Sequence, residues 1–316
     1  MSVKVLDVVG IGLTCVDLVM RVPKFPEVDE VVISFEFEQH FGGVAANAIV
    51  TLARLGAKVG FIGKIGMDPF GYNMVKAFEK DGVDTSKIIR DRRFGSALSF
   101  IQVGPNGERK ISHYPGAAPF LTPEDVEQTS DYIASSKMIH MDGINPQSAI
   151  RSAEIAKKRG AQVSFDLSTS LSAVEIFGLT KKDVENFIGL IDVFIPCKIA
   201  AQELTGEEEP EKAVRKLLDM GPSVVGITLG NRGCIVATKE EIVRKPAYKV
   251  EVKDTTGAGD AFHGAFLYGL LKGWTLEKTA EFANAVAAIK CQHFGARSGL
   301  PTESEVEKFL KTAQTI

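Results

Sequence analysis

The sequence predicts an α/β protein: a mainly parallel sheet flanked by helices, with a small projecting β-sheet lid. Three observations predict it. Short β-rich runs alternate with helical patterns along most of the 316 residues, as expected when parallel strands are joined through helices. Several strand runs are almost continuously apolar, which suits strands covered on both faces. Two further segments have strand character with no helix between them, and so fall outside the parallel sheet.

The elements follow in chain order. Residues 3–10 predict the first strand. Residues 29–40 alternate Val31, Ile33, Phe35 and Phe37 with Glu30, Ser34, Glu36 and Glu38, a strand with one dry and one wet face. Residues 45–55 predict a helix stopped by Gly56, residues 59–63 a strand, and residues 70–81 a helix stopped by Gly82. Residues 96–114 predict a hairpin turning at Asn106-Gly107. Strands are expected over 137–141, 163–166 and 192–195, with a helix over 146–159. The C-terminal part is helical over 258–272, 276–292 and 303–312, separated by Gly273, Gly295 and Pro301. No linker or repeat divides the chain, so one domain over 1–316 is expected, with lid segments near 13–42 and 96–116. A projecting layer beside a cleft suits a lid; the alternative is a surface hairpin without a role.

Composition removes several function classes. Thirty-seven basic residues face 40 acidic ones, for a net charge of −3, and no basic run tracks a phosphate backbone, so no nucleic-acid partner is expected. No apolar stretch approaches the ~20 residues of a bilayer span, and no membrane partner is expected. The four cysteines form no C-x-x-C pair, which speaks against a cysteine–zinc cluster. Reduced thiols in a cytoplasmic protein are expected. The five histidines show no H-E-x-x-H spacing.

The chemistry concentrates in Asp254-Thr255-Thr256-Gly257-Ala258-Gly259-Asp260, leading into Ala261-Phe262-His263-Gly264-Ala265-Phe266. Phe262 and Phe266 stand at i and i+4, so a core-facing helix starts near Ala258. The glycines let backbone N–H groups crowd toward one point, and free N–H groups at a helix start bind anions. Asp260 lies in that first turn. It either accepts the proton of a hydroxyl attacking a cradled phosphoryl group or only complements the helix dipole.

This run resembles the second signature of the ribokinase-like (PfkB) family of carbohydrate kinases. The first signature is matched by Phe41-Gly42-Gly43-Val44-Ala45-Ala46-Asn47, then Leu55-Gly56, then Gly63-Lys64-Ile65-Gly66-Met67-Asp68-Pro69-Phe70-Gly71. The resemblance extends over essentially the whole chain, and the interposed β segments match the family's lid. It implies an ATP-dependent phosphotransferase acting on a small sugar, with Mg2+ as a cofactor. Asp260 would be the base, and the backbone of Gly257, Ala258 and Gly259 the anion hole. Asp17, Gly42, Gly43 and Asn47 would bind sugar hydroxyls. Thr228, Gly230 and Gly233 would lie under the nucleotide phosphates, and Asn284 near the adenine. Asp254 would help hold a potassium-like ion (K+) that orders the anion-hole loop.

Two departures from the family matter. The Asn-x-x-Glu motif that serves magnesium in many members is replaced by Cys197-Lys198-Ile199-Ala200. The magnesium ligand is therefore unknown; either another acid such as Glu203 takes the role, or the nucleotide holds the ion. Val44 stands where ribokinases proper carry Lys. The run Ile139-His140-Met141-Asp142-Gly143-Ile144-Asn145 resembles a ketohexokinase stretch, which makes Asp142 a candidate sugar ligand or a loop cap. A ketose or other furanose-forming sugar phosphorylated at a primary hydroxyl is expected. The alternatives are a nucleoside kinase, with Phe100 and Tyr114 stacking on a base, and a non-catalytic sugar or nucleotide sensor. A free edge on the lid sheet would permit a homodimer through the lid.

Overall fold

The structure, a computed structural model, describes residues 6–176 and 178–316; residues 3–5 of the expected first strand lie outside them. Thirteen strands are present among these residues: β1 (Leu6–Ile11), β2 (Cys15–Arg21), β3 (Glu36–Gly42), β4 (Val59–Gly66), β5 (Asp84–Asp91), β6 (Leu98–Val103), β7 (Arg109–Tyr114), β8 (Ser136–Asp142), β9 (Gln162–Asp166), β10 (Val193–Phe194), β11 (Val224–Thr228), β12 (Cys234–Ala237) and β13 (Ile242–Lys245). Nine of them form one sheet in the order β13-β12-β11-β10-β9-β8-β1-β4-β5. Its pairs are parallel from β5 to β11 and antiparallel only at the β12–β13 edge.

Both faces of this sheet are covered, as its apolar strands require. Ile139, Met141, Val163 and Phe165 pack on one side against Ala153, Ile155, Val214 and Leu217. Val8, Phe61, Met138 and Ile195 pack on the other against Ile49, Phe262, Phe266 and Ala283. The second layer is made of the helices Val44–Arg54, Ala258–Leu271 and Leu276–Cys291. The chain leaves β1 toward β4 on one side and has β8 on the other. The carboxyl ends at such a switch point are where open α/β sheets bind ligands.

The remaining strands form a separate sheet in the order β3-β2-β6-β7. Its hairpin turns through Gly107 at φ 82°, as the Asn-Gly step predicts. Its centre is a parallel pair, β2 with β6, so two hairpins distant in sequence are joined side by side.

The structure corrects the expected strand over 29–40. Only Glu36–Gly42 is a strand, and the dry and wet faces are exchanged. Phe37 pairs with Met20, and Leu18 with Phe100, which places these apolar residues on the outward face. Phe37 is 62% exposed. Glu36 and Glu38 instead line the groove between lid and body. The helix Pro69–Lys80 covers the outward lid face only near Val16, Leu18 and Phe41 and leaves Phe37 in solvent, so period-2 alternation alone could not say which side is dry.

Candidate active site

The helix Ala258–Leu271 starts from Gly257 in the left-handed conformation, φ 75°. A Cβ there would press on the backbone of Ala296, so glycine is required twice over. Asp260 stands in the first turn of this helix and accepts from Asn47 Nδ2 at 2.7 Å. Asn47 Oδ1 accepts from Arg297 Nε at 2.8 Å, and Arg297 also donates to the Gly42 carbonyl at 2.8 Å. Asn47 and Arg297 are both buried. Loss of solvent pushes Asp260 up to about 7. The Asn47 hydrogen bond opposes this, the neighbouring Asp142 adds to it, and Arg297 and Lys290 pull the other way.

A cavity of about 340 Å³ opens above Asp260. Asp17, Gly42, Gly43 and Asn47 line it, together with Ser99 and His113 from the lid. Ser99 Oγ and His113 Nδ1 lie 3.1 Å apart. Burial raises the Asp17 carboxyl above its usual range. Asp142 is placed differently. Its carboxylate accepts the Leu13 amide at 2.9 Å, the Ala45 amide at 3.4 Å and the Ile144 amide at 3.2 Å. It thereby ties the loop after β1 to the start of the helix Val44–Arg54, and it is not part of the cavity wall. Phe100 and Tyr114 are not in that wall either; both are partly exposed on the outward lid face.

A second cavity, about 300 Å³, lies on the other side of the same loop. Thr228, Gly230, Gly233 and Asn284 line it with Ala258 and Gly259. Asn284 donates to the carbonyls of Lys245 and Pro246 at 3.2 and 3.0 Å. A Cβ on Gly259 would meet no protein atom within 4 Å, so its absence leaves room facing the cavity rather than relieving a clash. The Ala258 amide donates to the Thr255 carbonyl at 3.1 Å. Gly259 and Asp260, in the first helical turn, have no helical carbonyl to bond.

Both oxygens of Asp254 are occupied. One accepts from Thr256 N and Oγ1 at 2.9 and 2.7 Å, the other from Gly295 N at 2.9 Å. These bonds hold its carboxyl below the usual range against the opposing effect of burial. The Asp254 carbonyl accepts from Lys290 Nζ at 2.8 Å, and Lys290 also reaches the His293 carbonyl at 3.3 Å. Lys290 is 0% exposed, a buried ammonium held by main-chain oxygens. From the lid, Arg109 donates to Thr256 Oγ1 at 2.8 Å.

The lining of the second cavity contains no acidic side chain, so its side chains do not make a magnesium site of their own. Glu203 is not in that lining; its carboxylate accepts the Leu171 amide at 2.6 Å. Mg2+ is usually held by one or two carboxylates plus substrate phosphates, and here the phosphates would carry that share.

A model of the pfkB family carbohydrate kinases matches residues 5–303. The chain belongs to this family. The carbohydrate kinase is 34% identical to a ribokinase of Haemophilus influenzae over 96% of this chain and 98% of the relative. It is 31% identical to fructokinase-1 of Oryza sativa over 86% and 88%. An Escherichia coli protein solved in complex with ATP and Mg2+ shares the fold at a TM-score of 0.87 and 24% identity, covering 97% and 99% of the two chains.

Sequence reasoning passed over Arg297, Lys290, Ser99 and His113 in this kinase. Arg297 and Lys290 left a faint signal, cations within the otherwise apolar C-terminal region. Ser99 and His113 left none beyond lying on lid strands.

Proposed function

We propose that this kinase transfers the γ-phosphate of ATP to a primary hydroxyl of a small furanose-forming sugar, a ketose first. The observation that supports this best is the segment 255–260, which is a wall shared by two cavities. Thr256, Gly257 and Asp260 face one, and Thr255, Ala258 and Gly259 face the other. Sugar in the first and nucleotide in the second would meet across it. Asp260 Oδ accepts the hydroxyl proton as that oxygen attacks the γ-phosphorus, and the bond to the bridging oxygen breaks to release ADP. Of the expected anion hole of Gly257, Ala258 and Gly259, the Ala258 amide is turned to the Thr255 carbonyl, so the N–H groups of Gly257 and Gly259, joined by that of Asp260, would meet the charge on the phosphoryl oxygens. In this reading Asp17 binds sugar hydroxyls and Asn47 chiefly positions the base, while Asp142 positions the Gly42-Gly43 turn from below.

The potassium-like ion expected at Asp254 has a competitor. The Lys290 ammonium already sits among the carbonyls that would face such an ion, and we assign it the task of ordering the loop. A lid-to-lid homodimer rests on the exposed outward face described above. The nucleoside alternative rested on Phe100 and Tyr114, and neither reaches the cavity.

The test is kcat/KM for fructose, ribose, 2-keto-3-deoxygluconate and adenosine under one set of conditions, with ADP release as the readout. Preference for a ketose is expected. Preference for adenosine overturns the sugar assignment, and no turnover on any acceptor overturns catalysis.

A further inference from the structure

We propose that His140, Asp166 and His263 form a binding site for one divalent first-row transition cation, zinc in the first instance. Strand register brings two of them together. His140 pairs with Ser164, and Asp142 with Asp166, across β8 and β9. Residues two apart on a strand share a face, so His140 and Asp166 lie on the face that also carries Asp142. The helix Ala258–Leu271 packs over that face and supplies His263, one turn beyond Asp260.

One ligand atom from each of the three residues lies within 4.8 Å of the other two. His140, Asp166 and His263 are 0%, 3% and 3% exposed. His263 Nε2 stands 3.5 Å from Asp166 Oδ2, too long for a good hydrogen bond. It is close to the roughly 3.4 Å that separates two ligands on one tetrahedral zinc. His140 Nδ1 is engaged by Ser164 Oγ at 3.0 Å, while its Nε2 is buried without a partner. That division is the one a metal-bound histidine shows, with one nitrogen oriented by a hydrogen bond and the other on the ion. His263 would bind through Nε2, the nitrogen facing Asp166; its Nδ1, also buried without a hydrogen bond, would not touch the ion. Leaving a buried polar atom unpaired is costly, and an ion on His140 Nε2 would remove that cost.

The donor set chooses the ion. Two imidazoles and one carboxylate suit zinc, iron or cobalt, whereas magnesium demands octahedral oxygen. None of the three residues lines either cavity, and the transfer proposed above gives none of them a step. The ion would fasten β8, β9 and the helix bearing Asp260 to one another.

The test uses tag-free protein stripped with a chelator and free of nucleotide. One equivalent of Zn2+ by plasma mass spectrometry is expected. One equivalent of Co2+ should give visible d–d bands that Zn2+ abolishes, and either ion should raise Tm. His140→Gln and His263→Gln should each lose the bands, whereas His40→Gln and His293→Gln should keep them. Ser164→Ala, which leaves all three ligands in place, should weaken cobalt binding roughly 10–100-fold, as loss of an outer-shell partner does; it decides the matter if the histidine variants misfold. Failure of the wild-type chain to take up stoichiometric cobalt or zinc overturns the site, as do bands that survive in His140→Gln.

Discussion

At the scale of the residue, Asp260 is held between two opposing environments. Burial favours its protonated form, while Asn47, Arg297 and Lys290 favour the carboxylate, leaving it near 7. A base tuned close to the working pH is effective because it is both available and strong enough to take a proton. We predict that kcat/KM falls as pH drops through about 7, as the carboxylate is lost. Asp260→Asn should reduce kcat by ~10²–10⁴ while leaving ATP affinity by calorimetry unchanged; wild-type turnover by the variant would remove Asp260 from the chemistry. The linkage sign adds an independent check. A carboxyl raised on folding favours the folded state below its unfolded pKa, and that contribution is lost as pH rises toward the folded value. Asp260→Asn should therefore gain Tm over wild type at about pH 8 and little at about pH 4.

At the scale of the element, the start of the helix Ala258–Leu271 depends on a cation from the neighbouring helix. Lys290 spans to the Asp254 carbonyl and so fixes the loop that delivers Gly257. We predict equal wild-type rates in potassium and in a bulky organic cation at constant ionic strength. Lys290→Met should lose about 100-fold in kcat, as misplacement of a reacting group does, with part of the loss restored by potassium alone. A wild-type enzyme silent without potassium would return the task to a bound ion. Elements of this kind were legible to different degrees. The helix Pro146–Lys158 and strand β8 could be placed to within a residue or two, because long apolar periodicity reports on local structure. Strand β2 was not, since Cys15–Arg21 carries Asp17 and Arg21 on its groove face and so lacks a clean apolar signature. The glycine run and Asn47 could be picked out because their spacing is local. Arg297, Lys290 and the His140–His263 approach could not, because tertiary packing alone brings them to their partners.

At the scale of the whole molecule, the lid has two unlike faces. Asp17, Ser99 and His113 look toward the cavity above Asp260, whereas Phe37, Phe100 and Tyr114 remain 62%, 46% and 44% exposed on the other side. Apolar residues gathered on one exposed face mark an interaction surface. We predict a dimer in sedimentation velocity, with Phe37→Ser weakening it roughly tenfold or more if Phe37 is an anchor of the interface. A monomeric wild-type chain at micromolar concentration would refute lid pairing.

The bonds that hold Asp260 in place span most of the chain: 213 residues separate Asn47 from Asp260, and 250 separate Asn47 from Arg297. Closing such distances is among the slowest parts of folding. A growing chain would thus possess its lid and half its sheet long before it could acquire any chemistry. In denaturant, turnover should disappear as soon as the C-terminal helices detach, even while the β1–β8 half retains its ellipticity. Catalysis would then be the most sensitive gauge of whether the two ends of the polypeptide have found each other.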